Sequence, residues 1–123
     1  MITRPEPTDA YAPTAAQRRF LTTRDRTCRH PGCDHKAGWA DADHVLPHAD
    51  GGATDCANLC CLWRHHHRLK TFAPGWQHTM TADGILTVIT PTGVTRTSRP
   101  PGYRVLTDPP HPPPPPADDP PPF

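Results

Sequence analysis

An α+β fold is predicted for this 123-residue chain from three features. The stretch from Trp39 to Thr71 reads as strand, loop, strand and helix. After Trp76, β-branched runs alternate with turn residues, the pattern of short hairpins. Five cysteines and nine histidines accompany a hydrophobic share of only 34% and 19 prolines, so the core is small and calls for a disulfide or metal staple.

An odd cysteine count argues against a closed disulfide framework. There is no apolar run of about 18 residues to span a bilayer, and no charged start followed by an apolar segment and cleavage site. The chain therefore reads as soluble and cytoplasmic, with no membrane partner. In that reducing setting, spaced Cys and His favour zinc over disulfides. The net charge of +1 hides a basic centre: Thr14 to Arg104 carries twelve Lys or Arg against seven Asp, a formal +5. Arg18, Arg19, Arg24, Arg26, Arg29 and Lys36 form one group, and Arg64, Arg68 and Lys70 another. Such clusters suit a polyanion such as nucleic acid.

Taken in order, residues 1–13 carry Pro5, Pro7 and Pro13 with little apolar content and read as a disordered linker. Residues 14–25, "TAAQRRFLTTRD", offer a Thr cap and apolar positions at Ala16, Phe20 and Leu21, hence a short helix. In residues 26–76, "CRHPGC" turns at Pro31-Gly32 between Cys28 and Cys33, a zinc-knuckle-like entry. "WADADHVLPHADGGATD" gives a strand that breaks at Pro47 and Gly51-Gly52, Asn58 to Leu62 pairs back, and Trp63 to Thr71 is helical until Pro74-Gly75. Residues 77–104 read as a β-hairpin extension, a three-stranded meander turning at Asp83-Gly84 and at Pro91 to Gly93. Residues 105–123, "DPPHPPPPPADDPPPF" at their core, form a disordered or polyproline tail.

The Cys28-x4-Cys33 pair, the Asp43-His44 dipeptide, and Asn58 followed nine residues later by His67 together resemble the HNH endonucleases, the ββα-metal nucleases. The resemblance is to the actinobacterial branch in which an HNH domain follows a domain of unknown function. It covers Arg26 to Trp76 closely, on the spacing "DH…GG.TD..NL…HH..K". It implies a metal-dependent hydrolase that cleaves phosphodiesters of double-stranded DNA, leaving a 5′-phosphate. It also implies an N-terminal partner domain outside this chain. Asp43 and His67 would hold the catalytic divalent ion (Mg2+, Mn2+, Ni2+ or Zn2+), and His44 would be the general base. Asn58 would fix the loop after His44. A histidine with an ordinary pKa near about 6.5 suits proton abstraction at neutral pH. On a strand, the ring of His44 would point away from Asp43. Gly51 and Gly52 would supply positive φ in the loop, and Arg64, Arg68 and Lys70 would meet DNA phosphates. The alternative is a catalytically inactive nucleic-acid-binding fragment.

Many members of the family carry a structural zinc on a Cys pair before the first strand and a second pair at the helix start. Here the first pair is Cys28 and Cys33, and the later pair falls on Trp63 and His66. Indole offers zinc no lone pair. Three states remain open: Cys60 or Cys61 supplies the fourth ligand, water does, or the site is lost and Trp63 packs in its place. A Cys2His2 finger of Cys28, Cys33, His44 and His48 is disfavoured, because Pro47 breaks the helix it needs. Three consecutive histidines fan out by about 100° each on a helix, so they cannot share one ion. His66 would serve zinc and His67 the catalytic ion, and His65 would face solvent.

Overall fold

Thr14 and Gln17 open the first helix, α1 (Ala15–Asp25), with a reciprocal cap. The Gln17 N–H donates to Thr14 Oγ1 at 3.1 Å, and the Thr14 N–H donates to Gln17 Oε1 at 2.9 Å. Two helix-end donors are thereby satisfied. The computed structural model describes residues 3–101. Phe20 and Leu21 face the core as expected, but Ala16 is exposed and Gln17 takes the buried place instead. Gln17 Nε2 donates to the carbonyls of Glu6 and Thr54, so its amide is satisfied inside.

For residues 3–13 that contact departs from the expectation of a disordered linker; residues 1 and 2 lie outside the described residues. The Thr8 N–H donates to Thr54 O at 3.0 Å in an isolated antiparallel bridge, and Arg4 reaches Ala82 O. Residues 3–13 lie along the domain as a strap. The proline-rich tail falls outside the described residues, as do residues 102–104 of the hairpin extension.

After α1, the knuckle is closed by backbone bonds from Cys28 N to His35 O and from Cys33 N to His30 O, with Gly32 at φ 85°. Strand β1 (Asp41–His44) pairs antiparallel with β2 (Leu59–Leu62), and α2 (Arg64–Phe72) follows directly. Helix α2 ends before Pro74-Gly75 as predicted. Strands β3 (Gln77–Met80), β4 (Leu86–Ile89) and β5 (Thr95–Ser98) form the expected meander in the order β3-β4-β5. Among the described residues no helix is long and apolar enough to cross a membrane.

Strand β2, sequence LCCL, is buried on both faces, which is why it reads as a continuous apolar run. Leu59 and Cys61 pack with Phe20, Leu21, Ala37 and Cys56 on the α1 side. Cys60 and Leu62 pack with Cys28, Val45, Leu86 and Val88 on the meander side.

The basic cluster around α1 is divided by the fold. Arg24 and Arg29 are each 1% exposed and grip Asp25, which is itself fully buried. Arg24 Nε lies 2.6 Å and Arg29 Nη1 2.9 Å from Asp25 Oδ1, and Asp25 Oδ2 accepts the Cys61 N–H. The remaining guanidinium donors reach the carbonyls of Cys56, Leu59, Gly84 and Ser98. Burial opposes the charge on Arg24, but the hydrogen bond and attraction from Asp25 outweigh it and raise its pKa. These two arginines join α1, β2 and the meander and do not meet a polyanion. Arg18, Arg19, Arg26 and Lys36 stay exposed.

Candidate functional site

Alternation along β1 places Asp41 and Asp43 on the face toward α2. His67, three residues into α2, sits between them: Nδ1 is 3.0 Å from Asp41 Oδ2, and Nε2 is 3.1 Å from Asp43 Oδ1. The Asp43 hydrogen bond, with help from Asp41 and against burial, raises the His67 pKa. Burial pulls Asp41 upward, but hydrogen bonds from His67 and Arg64 prevail and lower it. Adjacent ligands about 2.1 Å from an octahedral ion lie about 3.0 Å apart, so the Asp43 and His67 atoms have the spacing of one coordination edge. Asp41 then completes a carboxylate-histidine arrangement that fixes ring orientation. The motif reading missed Asp41, although its position two residues before Asp43 on a strand signals the shared face.

Lys70 is displaced from the role expected of it. Its Nζ lies 3.1 Å from Asp43 Oδ2 and donates to His44 O at 3.0 Å, with the side chain only 10% exposed. It braces α2 against β1 and does not present itself to phosphate. Arg64, at 69% side-chain exposure, and exposed Arg68 remain on the outer surface of α2.

His44 faces away from Asp43, toward the strap. Its Nε2 lies 2.9 Å from Thr54 Oγ1, and that hydroxyl donates to the Tyr11 carbonyl at 3.3 Å. In the tautomer that lets the Thr54 hydroxyl donate to Tyr11, Nε2–H donates to Oγ1 and Nδ1 keeps the lone pair. The Tyr11 ring stacks on His44 at 5.2 Å with an interplanar angle of 28°, leaving the histidine 5% exposed. Burial first, then His48 and Lys70, lowers the His44 pKa, so the ring is neutral at pH 7.

Asn58 ties the intervening loop shut. Its Oδ1 accepts the Leu46 N–H at 2.9 Å, and its Nδ2 donates to Leu46 O and Ala53 O, each at 3.0 Å. Gly51 has φ 92° as expected, but Gly52 does not have positive φ. Gly52 is required for room, since a Cβ there would lie 1.8 Å from Leu46 O.

A second cluster lies where the knuckle meets the start of α2. Cys28, Cys33 and His66 place ligand atoms within 4.8 Å of one another, close enough to hold a metal ion. Cys28 Sγ and His66 Nδ1 are 3.5 Å apart. Tetrahedral zinc with sulfur at about 2.3 Å and nitrogen at about 2.05 Å spans about 3.6 Å between them, so this edge fits. Burial, then His65 and His35, lowers the His66 pKa to about 4 and keeps the imidazole neutral for ligation. Burial raises the Cys28 thiol to about 11, so metal binding there would release a proton.

Neither Cys60 nor Cys61 belongs to this cluster. Cys61 faces α1, and Cys60 is packed among Val45, Leu62 and Leu86, where burial pushes its thiol well above the ordinary value. Nor do His44 and His48 join Cys28 and Cys33. Trp63 is half-buried, with its ring stacked on His35 at 3.9 Å.

No family model and no solved structure matches the chain. It is similar to two proteins of Mycobacterium tuberculosis (strain ATCC 25618 / H37Rv). Identity to Uncharacterized protein Rv3776 is 44% over 90 residues, covering 73% of this chain and 17% of that protein. Identity to Uncharacterized protein Rv2100 is 43% over 90 residues, covering 73% of this chain and 16% of that protein. The chain thus spans less than a fifth of the length of these relatives.

Proposed function

We propose that this domain is an HNH-type, metal-dependent endonuclease acting on double-stranded DNA in a reducing, cytoplasmic setting. The observation that carries the reading is His67 clasped between Asp41 and Asp43, with Asp43 and His67 atoms 3.1 Å apart. A divalent ion held there would neutralise charge on the scissile phosphate and the leaving oxygen. Asp43 and His67 would hold it, and Asp41 would keep the His67 ring from rotating. Neutral His44 would take the proton of the attacking water at Nδ1, while Thr54 anchors Nε2. Asn58 and Gly52 keep the loop after His44 in place. Arg64 and Arg68 would contact phosphates beside the site.

The burial of His44 beneath Tyr11 favours a second reading, a nucleic-acid-binding module without catalysis. Nicking of supercoiled plasmid in Mg2+, Mn2+ or Ni2+ separates the two. Wild type should nick, and His44→Ala and His67→Ala should not. Equal activity of wild type and both variants in every metal would overturn the nuclease reading.

A further inference from the structure

The Cys28, Cys33 and His66 cluster adjoins a cleft of about 340 Å³ lined by His30, Cys33, His35, Trp63, His65 and His66 among others. Two of the three ligands thus look onto open space. The neighbouring imidazoles are poorly placed to close the shell. His30 lies flat on His66, with ring centroids 4.0 Å apart and an interplanar angle of 10°. Imidazole lone pairs lie in the ring plane, so two parallel stacked rings cannot both aim at one ion. His35 is stacked on Trp63, and neither it nor His65 has a nitrogen within the converging group. Trp63 forms the wall and supplies no lone pair.

We infer that Cys28, Cys33 and His66 form a three-ligand zinc site whose fourth position opens on this cleft and takes the thiolate of a small free thiol. Two cysteinates neutralise a divalent ion, and a third thiolate gives it the Cys3His donor set in which zinc is commonly closed. Zinc prefers such a soft donor to the water that would otherwise occupy the position. The cleft lies at the lower end of the range for small-molecule sites, about 300–1,000 Å³, so a small ligand has room there. The inference stands whether or not the domain cleaves DNA.

The test uses the full chain stripped of metal, loaded with one equivalent of Co2+ and followed by absorption as 2-mercaptoethanol is added. Thiolate-to-cobalt charge transfer should rise by roughly half, as the thiolate count goes from two to three. The Cys28→Ser/Cys33→Ser double variant serves as the blank for ions held by Asp43 and His67, which contribute no thiolate band, and for Co2+ bound by the added thiol itself. His35→Ala and His65→Ala should respond as wild type does. Trp63→Cys should begin at the higher intensity and ignore the added thiol. A wild-type band that does not change with thiol would overturn the inference. So would absence of the band at any Co2+ level, or a response that appears only when His35 or His65 is removed. The wild-type and histidine-variant arms decide the matter even if Trp63→Cys does not fold.

Discussion

Asp41 and His67 are joined across β1 and α2 by a 3.0 Å contact from Oδ2 to Nδ1, which leaves the other ring nitrogen aimed at Asp43. An outer carboxylate of this kind fixes the tautomer and raises the basicity of a ligating imidazole, and losing one typically weakens metal binding 10- to 100-fold, so Asp41→Asn should lower Mn2+ affinity by roughly that factor. Calorimetric titration with Mn2+ measures it, on a variant whose circular dichroism is unchanged. Equal affinities would show that Asp41 merely pairs with Arg64.

Tyr11→Ala removes the ring that covers His44. Since burial is the main cause of the lowered His44 pKa, the variant's imidazole should titrate at a higher pH, nearer its ordinary value. Proton NMR of the His44 ring across pH 4 to 8 reads this directly. On the proposed nuclease reading, the same variant should nick plasmid faster than wild type, because the strap no longer shields the ring.

Asp25→Ala leaves the buried guanidinium groups of Arg24 and Arg29 without their carboxylate. Removing one partner of a buried pair costs about 3–5 kcal/mol, a large part of the stability of a domain this small. Urea unfolding should therefore place the midpoint far below that of wild type. Arg19→Ala, on the exposed face of α1, should be within about 0.5 kcal/mol of wild type.

Acid should destabilise the metal-free domain through histidines whose ring nitrogens are buried. Burial, with Lys70 adding to it, lowers the His78 pKa to about 4, and His78 Nδ1 is buried without a hydrogen-bond partner. In the unfolded chain the same ring binds its proton near about 6.5. The unfolded state thus takes up protons first, and the stability contributed by neutral His78 is complete above pH ~6.5 and lost as pH falls toward ~4. His30, with a pKa lowered to about 3 chiefly by burial, adds to the slope. Urea midpoints at steps from pH 7.5 to 4 should fall accordingly, and His78→Gln should flatten the curve.

Gly52→Ala tests the loop rather than the chemistry. The added Cβ meets the Leu46 backbone at 1.8 Å and Asn58 Nδ2 at 2.9 Å, and backbone cannot yield as a side-chain tip can. The variant should lose stability by roughly 1–3 kcal/mol, the range for overpacking, seen as a lower thermal midpoint. Gly51→Asn should be milder, because open space surrounds Gly51 and Asn tolerates positive φ.

The elements were legible in the sequence because local chemistry announces each one. Thr14 opens α1, Pro74-Gly75 closes α2, and Asp83-Gly84 turns the meander. Long-range pairing of side chains was not. Arg24 and Arg29 look like surface cations until the fold brings both onto one carboxylate, and nothing local separates them from Arg18 or Arg19. Lys70 looked equally free before β1 placed Asp43 beneath it. Tyr11 lies thirty-three residues from His44 in a proline-rich stretch, so no spacing rule connects them. Strand alternation sends Cys60 and Cys61 to opposite faces, so they could not share one ion. That neither reaches Cys33 depends on the knuckle's own path.

Strand β2 has no solvent face at all: its odd members complete the packing beneath α1, and its even members complete the packing beneath the meander. Four residues therefore form the shared wall of two half-cores, each too small to persist alone. The two halves should melt together, with the fluorescence of Trp63 and Trp76 on the meander side, read in a Trp39→Phe variant, and helical circular dichroism tracing one superimposable transition. A deletion that trims either half would take the other with it.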